Sequence, residues 1–301
     1  LTRPCCASVP ANRPPFIMPE LPEVEVLVRH LAPLLKGRRI GVVQVRLAKV
    51  VRPDSPRRFA QALRGARFRA VSRRGKYLLF HLRPAGQGGA LTLTGHLGMT
   101  GRMYLLPAKT PLPRHAAVVL GLGRQNFIFE DSRRFGRLTL AAAPRRNLGP
   151  EPLESAFALR PFVAALRQSR QAIKVKLLDQ SLLAGVGNIY ASEALFRAGI
   201  APALPARRLS ESQVRRLRLA IRAVLRQAIA GGSTVPLNYT GQGASDRLFY
   251  FGRAPGAPDY YEERLQVYDR AGQPCPRCKT PIRRRVQAAR STYYCPRCQR
   301  A

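Results

Sequence analysis

The sequence predicts an α+β protein with several domains: an N-terminal helix and β-sandwich, a helical domain, and a C-terminal zinc-ribbon hairpin. Three observations support this order. Short strand-like runs follow one amphipathic helix, helical periodicity replaces them after about residue 155, and two Cys-x2-Cys pairs close the chain. A length of 301 residues also suffices for two domains.

The composition favours a polyanionic partner. The chain has 52 Lys and Arg against 16 Asp and Glu, a formal net charge of +36. Hydrophobic residues make up 46%, enough to fill folded cores, so the charge is not that of a disordered basic tail. Nucleic acid is the commonest partner of such a surface. A membrane is disfavoured, because no apolar run approaches the roughly 18 residues of a spanning helix.

Residues 1–17 precede the first Met and are interpreted as a leader or a start-site artefact. They lack the apolar core of a secretory signal, so we expect a cytoplasmic protein. If the chain is trimmed to begin at Pro19, that residue has a free secondary amine, whose pKa of about 7.7 to 8.0 leaves it partly neutral and nucleophilic. Glu20 and Glu23 could then move protons beside it. Alternatively, this run is only a turn that leads into a helix.

Residues 18–145 are predicted to form a helix followed by the β-sandwich. Apolar residues at helical spacing extend from Val24 to Leu35 and stop before Lys36-Gly37, a typical helix end. Strand-like runs separated by turns rich in Gly and Pro follow at 39–47, 68–71, 77–82, 90–93, 102–106, 116–120, 126–130 and 137–140. Many short strands after one helix indicate a sandwich or barrel.

Residues 146–264 are predicted to form a helical domain with a long terminal loop. A link rich in Pro, Gly and Asn around 143–155 precedes helical periods at 162–167, 172–178, 188–196 and 210–229. Ser210-x-x-Gln213 is a capping-box signature for the last helix. Residues 231–264 show no period, which indicates a functional loop or disorder.

Residues 265–301 contain the most specific motif of the chain. Two Cys-x2-Cys pairs separated by sixteen residues fit a zinc ribbon, with Cys275, Cys278, Cys295 and Cys298 as ligands. Four thiolates complete a tetrahedral site, so we expect one structural Zn²⁺ with no open position for catalysis. A redox role for the two motifs is the alternative.

With this hairpin, the Met18–Glu23 start makes the chain resemble the formamidopyrimidine-DNA glycosylase and endonuclease VIII (Fpg/Nei) family from Met18 to Arg300. The resemblance implies a helix-two-turn-helix around Gly185–Glu193 and a lesion-recognition loop at 231–264. It also implies a bifunctional DNA glycosylase and AP lyase that excises oxidised purines, namely 8-oxoguanine and formamidopyrimidines, and nicks the backbone by β,δ-elimination. The expected partner is damaged double-stranded DNA, with no small-molecule cofactor, in a monomeric, nucleoid-associated bacterial protein.

The family's functional residues map onto matching positions here. By resemblance, Pro19 is the nucleophile that forms the Schiff base, Glu20 transfers protons at the sugar and the leaving base, and Glu23 is a supporting carboxylate. Lys76 and Arg290 complete the expected catalytic set by contacting phosphates near the lesion.

Two loops, 96–101 and 131–136, resemble those that the family inserts into the duplex when a nucleotide is flipped out. Met99 and Phe135 would fill the gap, and Arg133 would hydrogen-bond the base left without a partner. The DNA-binding residues implied by the resemblance are His96, Met99, Arg133, Phe135, Asn188 and Arg290.

Two other functions stay open from the sequence. One is an endonuclease VIII-like preference for oxidised pyrimidines, against which Leu21 and the Arg-Arg-Gly-Lys-Tyr turn argue. The other is a catalytically inactive zinc-ribbon DNA-binding protein, which requires a leader that keeps Pro19 inside the chain, where its nitrogen is an amide. The resemblance assigns the choice of lesion to residues 231–263, the segment that resembles the family least.

Overall fold

The computed structural model describes residues 19–86, 89–140, 148–231 and 265–300. The predicted leader lies outside these ranges, as do the predicted lesion-recognition loop after Gly231 and residues 141–147 of the link between the first two domains. The proposed division of the chain after residues 17, 145 and 264 therefore stays a prediction.

Two four-stranded antiparallel sheets form the N-terminal half. Their strands are β1 (Val42–Val45), β2 (Arg67–Arg74), β3 (Tyr77–Arg83), β4 (Leu91–His96), β5 (Gly101–Pro107), β6 (Ala116–Gly121), β7 (Gln125–Asp131) and β8 (Arg137–Thr139). One sheet has the order β1-β6-β7-β5 and the other β2-β3-β4-β8. Phe80 of β3 packs edge-on against Phe127 of β7, with ring centroids 5.6 Å apart, and so joins the sheets. The predicted β-sandwich is confirmed.

Helix α1 (Leu21–Leu35) precedes the sandwich, as the sequence predicts. Most of its buried residues belong to the sandwich core, whereas Leu21 belongs to the core of the helical region. The start of α1, with Pro19 and Glu20 before it, therefore lies where the two cores meet.

A second helix, α2 (Pro56–Leu63), lies between β1 and β2 and is absent from the sequence-based prediction. Its local signals are nevertheless strong. The Ser55 hydroxyl accepts a hydrogen bond from the backbone N–H of Arg58, and Pro56 occupies the first helical position.

Four helices form the second core: α3 (Leu159–Arg167), α4 (Ile173–Lys176), α5 (Asn188–Ala198) and α6 (Glu211–Ala230). The predicted capping box begins α6: Ser210 Oγ accepts from the Gln213 N–H at 3.2 Å, and Gln213 Oε1 accepts from the Ser210 N–H at 2.8 Å. Before α5, Gly185 has a φ of +83°, and a Cβ there would lie 2.7 Å from Leu21 Cβ. Glycine thus lets the turn before α5 lie directly against the start of α1.

The C-terminal hairpin consists of β9 (Arg283–Gln287) and β10 (Arg290–Tyr294). A small core of Phe196 from α5 with Val267, Ile282 and Tyr293 packs it onto the helical region. Outside that core, the Arg277 guanidinium lies 4.4 Å from the centroid of the Phe196 ring. Among the described helices, none combines the length and apolar character that a membrane span requires.

Candidate active site and nucleic-acid interface

A cleft of about 380 Å³ opens where the sandwich, the helical core and the C-terminal hairpin meet. All three regions supply side chains to its wall, including Glu20, Lys76, Met99, Asn188, Tyr268, Arg290 and Tyr293. Five of the residues predicted from sequence thus share one cavity, although they lie up to 270 positions apart in the chain.

Glu20 is fixed at the N-terminus of α5. Only 2% of the residue is exposed, and its carboxylate accepts hydrogen bonds from the backbone N–H groups of Gly187 (2.6 Å), Ile189 (2.8 Å) and Tyr190 (3.4 Å). Burial raises the pKa of Glu20, while the Lys76 charge and these N–H groups act in the opposite direction. Glu20 therefore holds a proton more readily than a solvated glutamate does.

Lys76 lies beside Glu20 at the same point. A Cβ built on Gly187 would lie 2.5 Å from Glu20 Oε1 and 2.7 Å from Lys76 Nζ, so only glycine leaves room for both side chains. Desolvation lowers the pKa of Lys76, the negative charge of Glu20 raises it, and the positive charge of Arg290 lowers it. The three side chains therefore act on one another electrostatically across the cleft.

Glu23 lies behind Glu20 and is fully buried. Its carboxylate accepts hydrogen bonds from the Glu20 backbone N–H at 2.8 Å and from the Tyr190 hydroxyl at 2.5 Å. Burial raises the pKa of Glu23 to about 7, since desolvation outweighs the hydrogen bond from Tyr190. Two buried carboxyl groups with raised pKa values thus lie close to Pro19 in the chain, and Pro19 is itself buried.

The cationic turn before Lys76 is anchored and not freely solvated. Arg73 Nη1 and Arg74 Nη1 donate to the buried carboxylate of Glu151 at 2.7 and 3.0 Å, and the Gly75 N–H donates to it at 2.6 Å. Arg73 Nε also pairs with Glu25 at 2.9 Å. These pairs neutralise the two arginines and leave Lys76 as the cation that enters the cleft.

Lys174 is a candidate that the sequence analysis missed. It is 1% exposed, and its ammonium donates to Asn188 Oδ1 at 2.5 Å. Desolvation lowers the pKa of Lys174 to about 8, with an opposing effect of Glu20 and a smaller lowering by Arg290. In the sequence, Lys174 is simply a lysine within the predicted helix 172–178, and a lysine in a helix usually lies on its solvated face.

Asn188 joins this lysine to the C-terminal hairpin. Its Nδ2 donates to the backbone carbonyl of Ser291 at 2.9 Å and to the Tyr268 hydroxyl at 3.4 Å. Asn188 and Arg290 thus lie on adjoining parts of one cationic wall, as the predicted phosphate contacts require.

The two predicted wedge loops lie side by side. The buried Asp131 carboxylate accepts from the Thr100 hydroxyl at 2.6 Å in one loop and from the Gly136 N–H at 2.7 Å in the other. A Cβ on Gly98, whose φ is +64°, would lie 2.7 Å from the Gly136 nitrogen. Close packing of the loops therefore requires glycine at this position.

Side chains of the wedge loops point towards open space or the cleft. Phe135 is 50% exposed, and the Arg133 guanidinium carbon lies 5.2 Å from the centroid of its ring. Met99 lines the cleft directly. An exposed aromatic ring paired with an arginine is the kind of surface that stacks on bases.

His96 orients the first wedge loop, and its contact with DNA stays a prediction. Its Nδ1 accepts from the Gly98 N–H at 3.1 Å, and its ring lies 4.9 Å from that of Tyr77. Desolvation lowers the pKa of His96 to about 4, with contributions from the Lys76 and Arg137 charges. The ring is therefore neutral, and it orients the loop that contains Met99.

The four predicted cysteine ligands converge on one point. Their sulfur atoms all lie within 4.8 Å of one another, with Cys275–Cys298 at 3.9 Å and Cys278–Cys295 at 3.5 Å. Thiolates about 2.3 Å from a tetrahedral Zn²⁺ lie at such separations, so the residues fit the ion. The site holds one structural zinc, and the redox alternative is not needed to explain the motifs.

Glu193 of α5 ties the segment before the hairpin to the helical core. Its buried carboxylate accepts from the backbone N–H groups of Gln266, Val267 and Tyr268, each at 2.9 Å. Burial raises the pKa of Glu193, although those three N–H groups lower it. This carboxylate supports the cleft from behind.

Comparison with known proteins shows to which protein family the chain belongs. The N-terminal domain of formamidopyrimidine-DNA glycosylase matches residues 18–138, its H2TH (helix-two-turn-helix) domain matches residues 148–238, and the zinc finger found in that glycosylase and in IleRS matches residues 272–301. The chain belongs to the formamidopyrimidine-DNA glycosylase family. The predicted helix-two-turn-helix and zinc finger of this family are confirmed.

Two curated relatives show how far the similarity extends. The formamidopyrimidine-DNA glycosylase of Alkalilimnicola ehrlichii is 44% identical over 94% of this chain and 100% of its own length. That of Thermus thermophilus is 45% identical over 94% of this chain and 98% of its own.

Solved structures of family members agree with the fold. The crystal structure of MutM (Fpg) from Thermus thermophilus has a TM-score of 0.76 at 41% identity, covering 93% of this chain and 98% of that one. A mutant of the Lactococcus lactis Fpg, in complex with DNA that contains Fapy-dG, has a TM-score of 0.81 at 31% identity, covering 94% and 100%.

Proposed function

We propose that this protein is a DNA glycosylase of the formamidopyrimidine type that removes oxidised purines and then cleaves the DNA backbone as an AP lyase. The observation that carries the proposal is the cleft in which Glu20 and Lys76, beside buried Pro19, face Asn188 and Arg290. Glycosylases of this family act on DNA, and relatives have been crystallised with DNA that contains Fapy-dG or an abasic site. These names favour oxidised purines over the endonuclease VIII-like alternative.

Base removal starts at the Pro19 nitrogen, which must be a chain terminus to react. The amine attacks C1′ of the flipped nucleotide, the bond from C1′ to the base breaks, and its electron pair leaves with the base. The proton that the Pro19 nitrogen gives up leaves with the departing base. Glu20, whose raised pKa suits it for the step, then protonates the sugar ring oxygen, the C1′–O4′ bond breaks, and the nitrogen lone pair forms the iminium. Glu23, protonated near pH 7, supports the Glu20 backbone.

Strand cleavage follows from the iminium. Its positive charge acidifies the C2′ proton, and removal of that proton breaks the C3′–O bond. A second elimination then breaks the C5′–O bond, and each phosphate leaves with its electron pair. We assign the binding of these phosphates to Lys76, Arg290 and Asn188, which line the cleft, with Lys174 behind Asn188. The zinc has four cysteine ligands and only folds the hairpin.

The space that the extruded nucleotide leaves in the duplex is filled by the side chains of Met99, Phe135 and Arg133. Their loops are joined through Asp131 and lie beside the cleft. We further propose a monomeric protein in the bacterial cytoplasm, associated with the nucleoid, because four reduced thiolates suit a reducing compartment.

Borohydride trapping tests the proposal. Two forms of the chain are compared, one beginning at Pro19 and one that retains Met18 and so keeps the nitrogen as an amide. Duplexes carry 8-oxoguanine, a formamidopyrimidine, an oxidised pyrimidine or an abasic site. We expect a covalent product only from the Pro19 form, and faster with the purine lesions than with the pyrimidine.

The outcomes separate the three functions. Faster trapping on the oxidised pyrimidine supports the endonuclease VIII-like alternative. No trapping on any duplex, with a Pro19 terminus verified by mass spectrometry, would falsify the catalytic assignment and leave the inactive DNA-binding protein.

A further inference from the structure

Three arginines form a row at the end of strand β2 opposite to the end that leads to Lys76. Arg67 of β2 pairs in register with Arg83 of β3, and Arg39 forms an isolated antiparallel bridge with Arg67. Residues directly opposite on neighbouring strands project from the same face with their Cβ atoms about 5 Å apart. All three residues are exposed. Like charges in this arrangement destabilise a sheet unless an anion lies between them.

No carboxylate neutralises this row within the described residues. None of the ion pairs found there includes any of the three arginines. Arg67 Nη1 donates only to the backbone carbonyl of Gly37, at 3.3 Å. Between residues 26 and 129 the sequence has twenty Lys and Arg and a single acid, Asp54, whose carboxylate accepts from the Leu140 N–H.

The two ends of strand β2 differ sharply in this respect. At the cleft end, Arg73 and Arg74 are paired with Glu151, and Arg73 also with Glu25. At the far end, Arg67 faces two further arginines. Basic composition alone does not explain the difference, since the same strand contains both arrangements. Strand β2 thus has neutralised arginines at its cleft end and a charged arginine at its far end.

The row is also separated from the cleft by the length of strand β2. Strand β2 covers seven residue steps from Arg67 to Arg74, about 23 Å at about 3.3 Å per residue. Arginine forks bind phosphate oxygens in pairs, and three side by side match a phosphodiester backbone. A duplex held by Lys76 and Arg290 occupies the cleft, so the row remains open to other phosphates.

We propose that the row Arg39–Arg67–Arg83 binds the phosphate backbone of a second DNA segment. The protein then holds two duplexes at once and passes from one to the other without first dissociating. Base excision needs only the duplex in the cleft, so this activity is additional to the proposed function. It shortens the search for rare lesions, because transfer replaces full release into solution.

The test is the dissociation of a fluorescent, uncleavable duplex from the Pro19 form at increasing concentrations of unlabelled duplex. Direct transfer makes the dissociation rate rise with competitor concentration. The row variant is R39Q/R67Q/R83Q. The matched control, R215Q/R216Q/R226Q, removes the same charge from exposed positions on α6. We expect the rise to persist in wild type and control, and its slope to fall about tenfold or more in the row variant, because three phosphate contacts are lost.

An unchanged slope in the row variant overturns the proposal, and so does an equal fall in the control, which would indicate only general charge. Poly-glutamate of equal charge serves as a second competitor, and row-dependent acceleration by it would point to an acidic protein instead of DNA. Cleavage of a short lesion duplex should be equal in all three proteins. If that cleavage is absent throughout, the proposed function fails while the dissociation data still report on the row.

Discussion

The two walls of the cleft are built by different physical means. In the catalytic wall, Glu20 and Glu23 are buried and held by hydrogen bonds from the start of α5, and the half-buried Lys76 lies beside them. The hairpin wall, Arg290 and Ser291, is exposed or half-buried and rests on a short hairpin folded by zinc. Proton transfer needs groups shielded from water, whereas phosphate binding needs charge that the duplex can reach. The difference predicts that changes in the catalytic wall lower the rate of base excision, whereas changes in the hairpin wall weaken DNA binding.

The substitution Glu20→Gln in the catalytic wall should have the largest effect. The amide keeps the shape but supplies no proton, so we expect base excision to fall about 10²- to 10⁴-fold with DNA affinity little changed. Single-turnover excision and a binding titration on the same duplex measure the two effects. Cleavage of an abasic duplex should suffer less, because no base has to leave. Equal loss of excision and affinity would contradict the separation of the walls.

Glu23→Gln tests the buried proton behind Glu20. The pKa of Glu23 rises from its ordinary 4.5 to about 7 in the folded chain, so between these values the unfolded chain binds fewer protons. Folding stability should therefore fall as pH rises from 4.5 to 7, by on the order of 3 kcal/mol. The variant lacks this titration.

Denaturant unfolding of wild type and Glu23→Gln at several pH values provides the measurement. The difference between the two proteins isolates Glu23, because all other titrating groups are shared. We expect wild type to lose stability relative to the variant above about pH 5 and to level off above about pH 7. Parallel curves would show that the carboxyl group stays charged in the folded chain.

Removal of zinc should disable the hairpin wall alone. Chelation unfolds the hairpin and removes the Arg290 contact, which we expect to weaken duplex binding about 10- to 100-fold, as the loss of a charged hydrogen bond does. Arg290→Gln is the matched control, since it removes the charge without removing the metal. At saturating DNA concentration, part of the base-excision rate should remain after either treatment. A complete loss at saturation would show that the hairpin also shapes the catalytic wall.

The smallest expected effect concerns the turn of the hairpin. Ala288 and Ala289 both have positive φ, 47° and 57°, a conformation that favours Asn and Gly. Replacing them by Asn and Gly should stabilise the hairpin by about 1 kcal/mol per relieved residue. Hydrogen exchange of the β9 and β10 amides measures this, and Ala288→Val should shift it the other way. Faster exchange in the Asn-Gly variant would exclude strain at the turn.

Sequence patterns predicted the features that depend on local spacing. Cysteine pairs, the capping box at Ser210 and the alternating strands were all recognisable, and the structure contains them. Helix α2 was missed because only Phe59 and Leu63 are buried along its eight residues, too few to show a period. Its Ser55-Pro56 start was the signal that could have identified it.

Features set by contacts between distant segments could not be predicted. Lys174 and Lys176 are two residues apart on α4, yet only Lys174 is buried against Asn188, whereas Lys176 pairs with Asp179 near the surface. The packing of α4 on α5 decides which lysine enters the site. Glu151 is similar, since nothing near it in the sequence indicates that it anchors the turn before Lys76.

Asp131 has a consequence for how the duplex is opened. One carboxylate is bonded to both loops that present Met99, Arg133 and Phe135. The two loops therefore form a single unit, and in the proposed function the three side chains enter or leave the stack of bases together. A base-pair step that prevents one of these side chains from entering prevents all three. In the proposed function, the strength of a base pair is therefore tested by one concerted insertion.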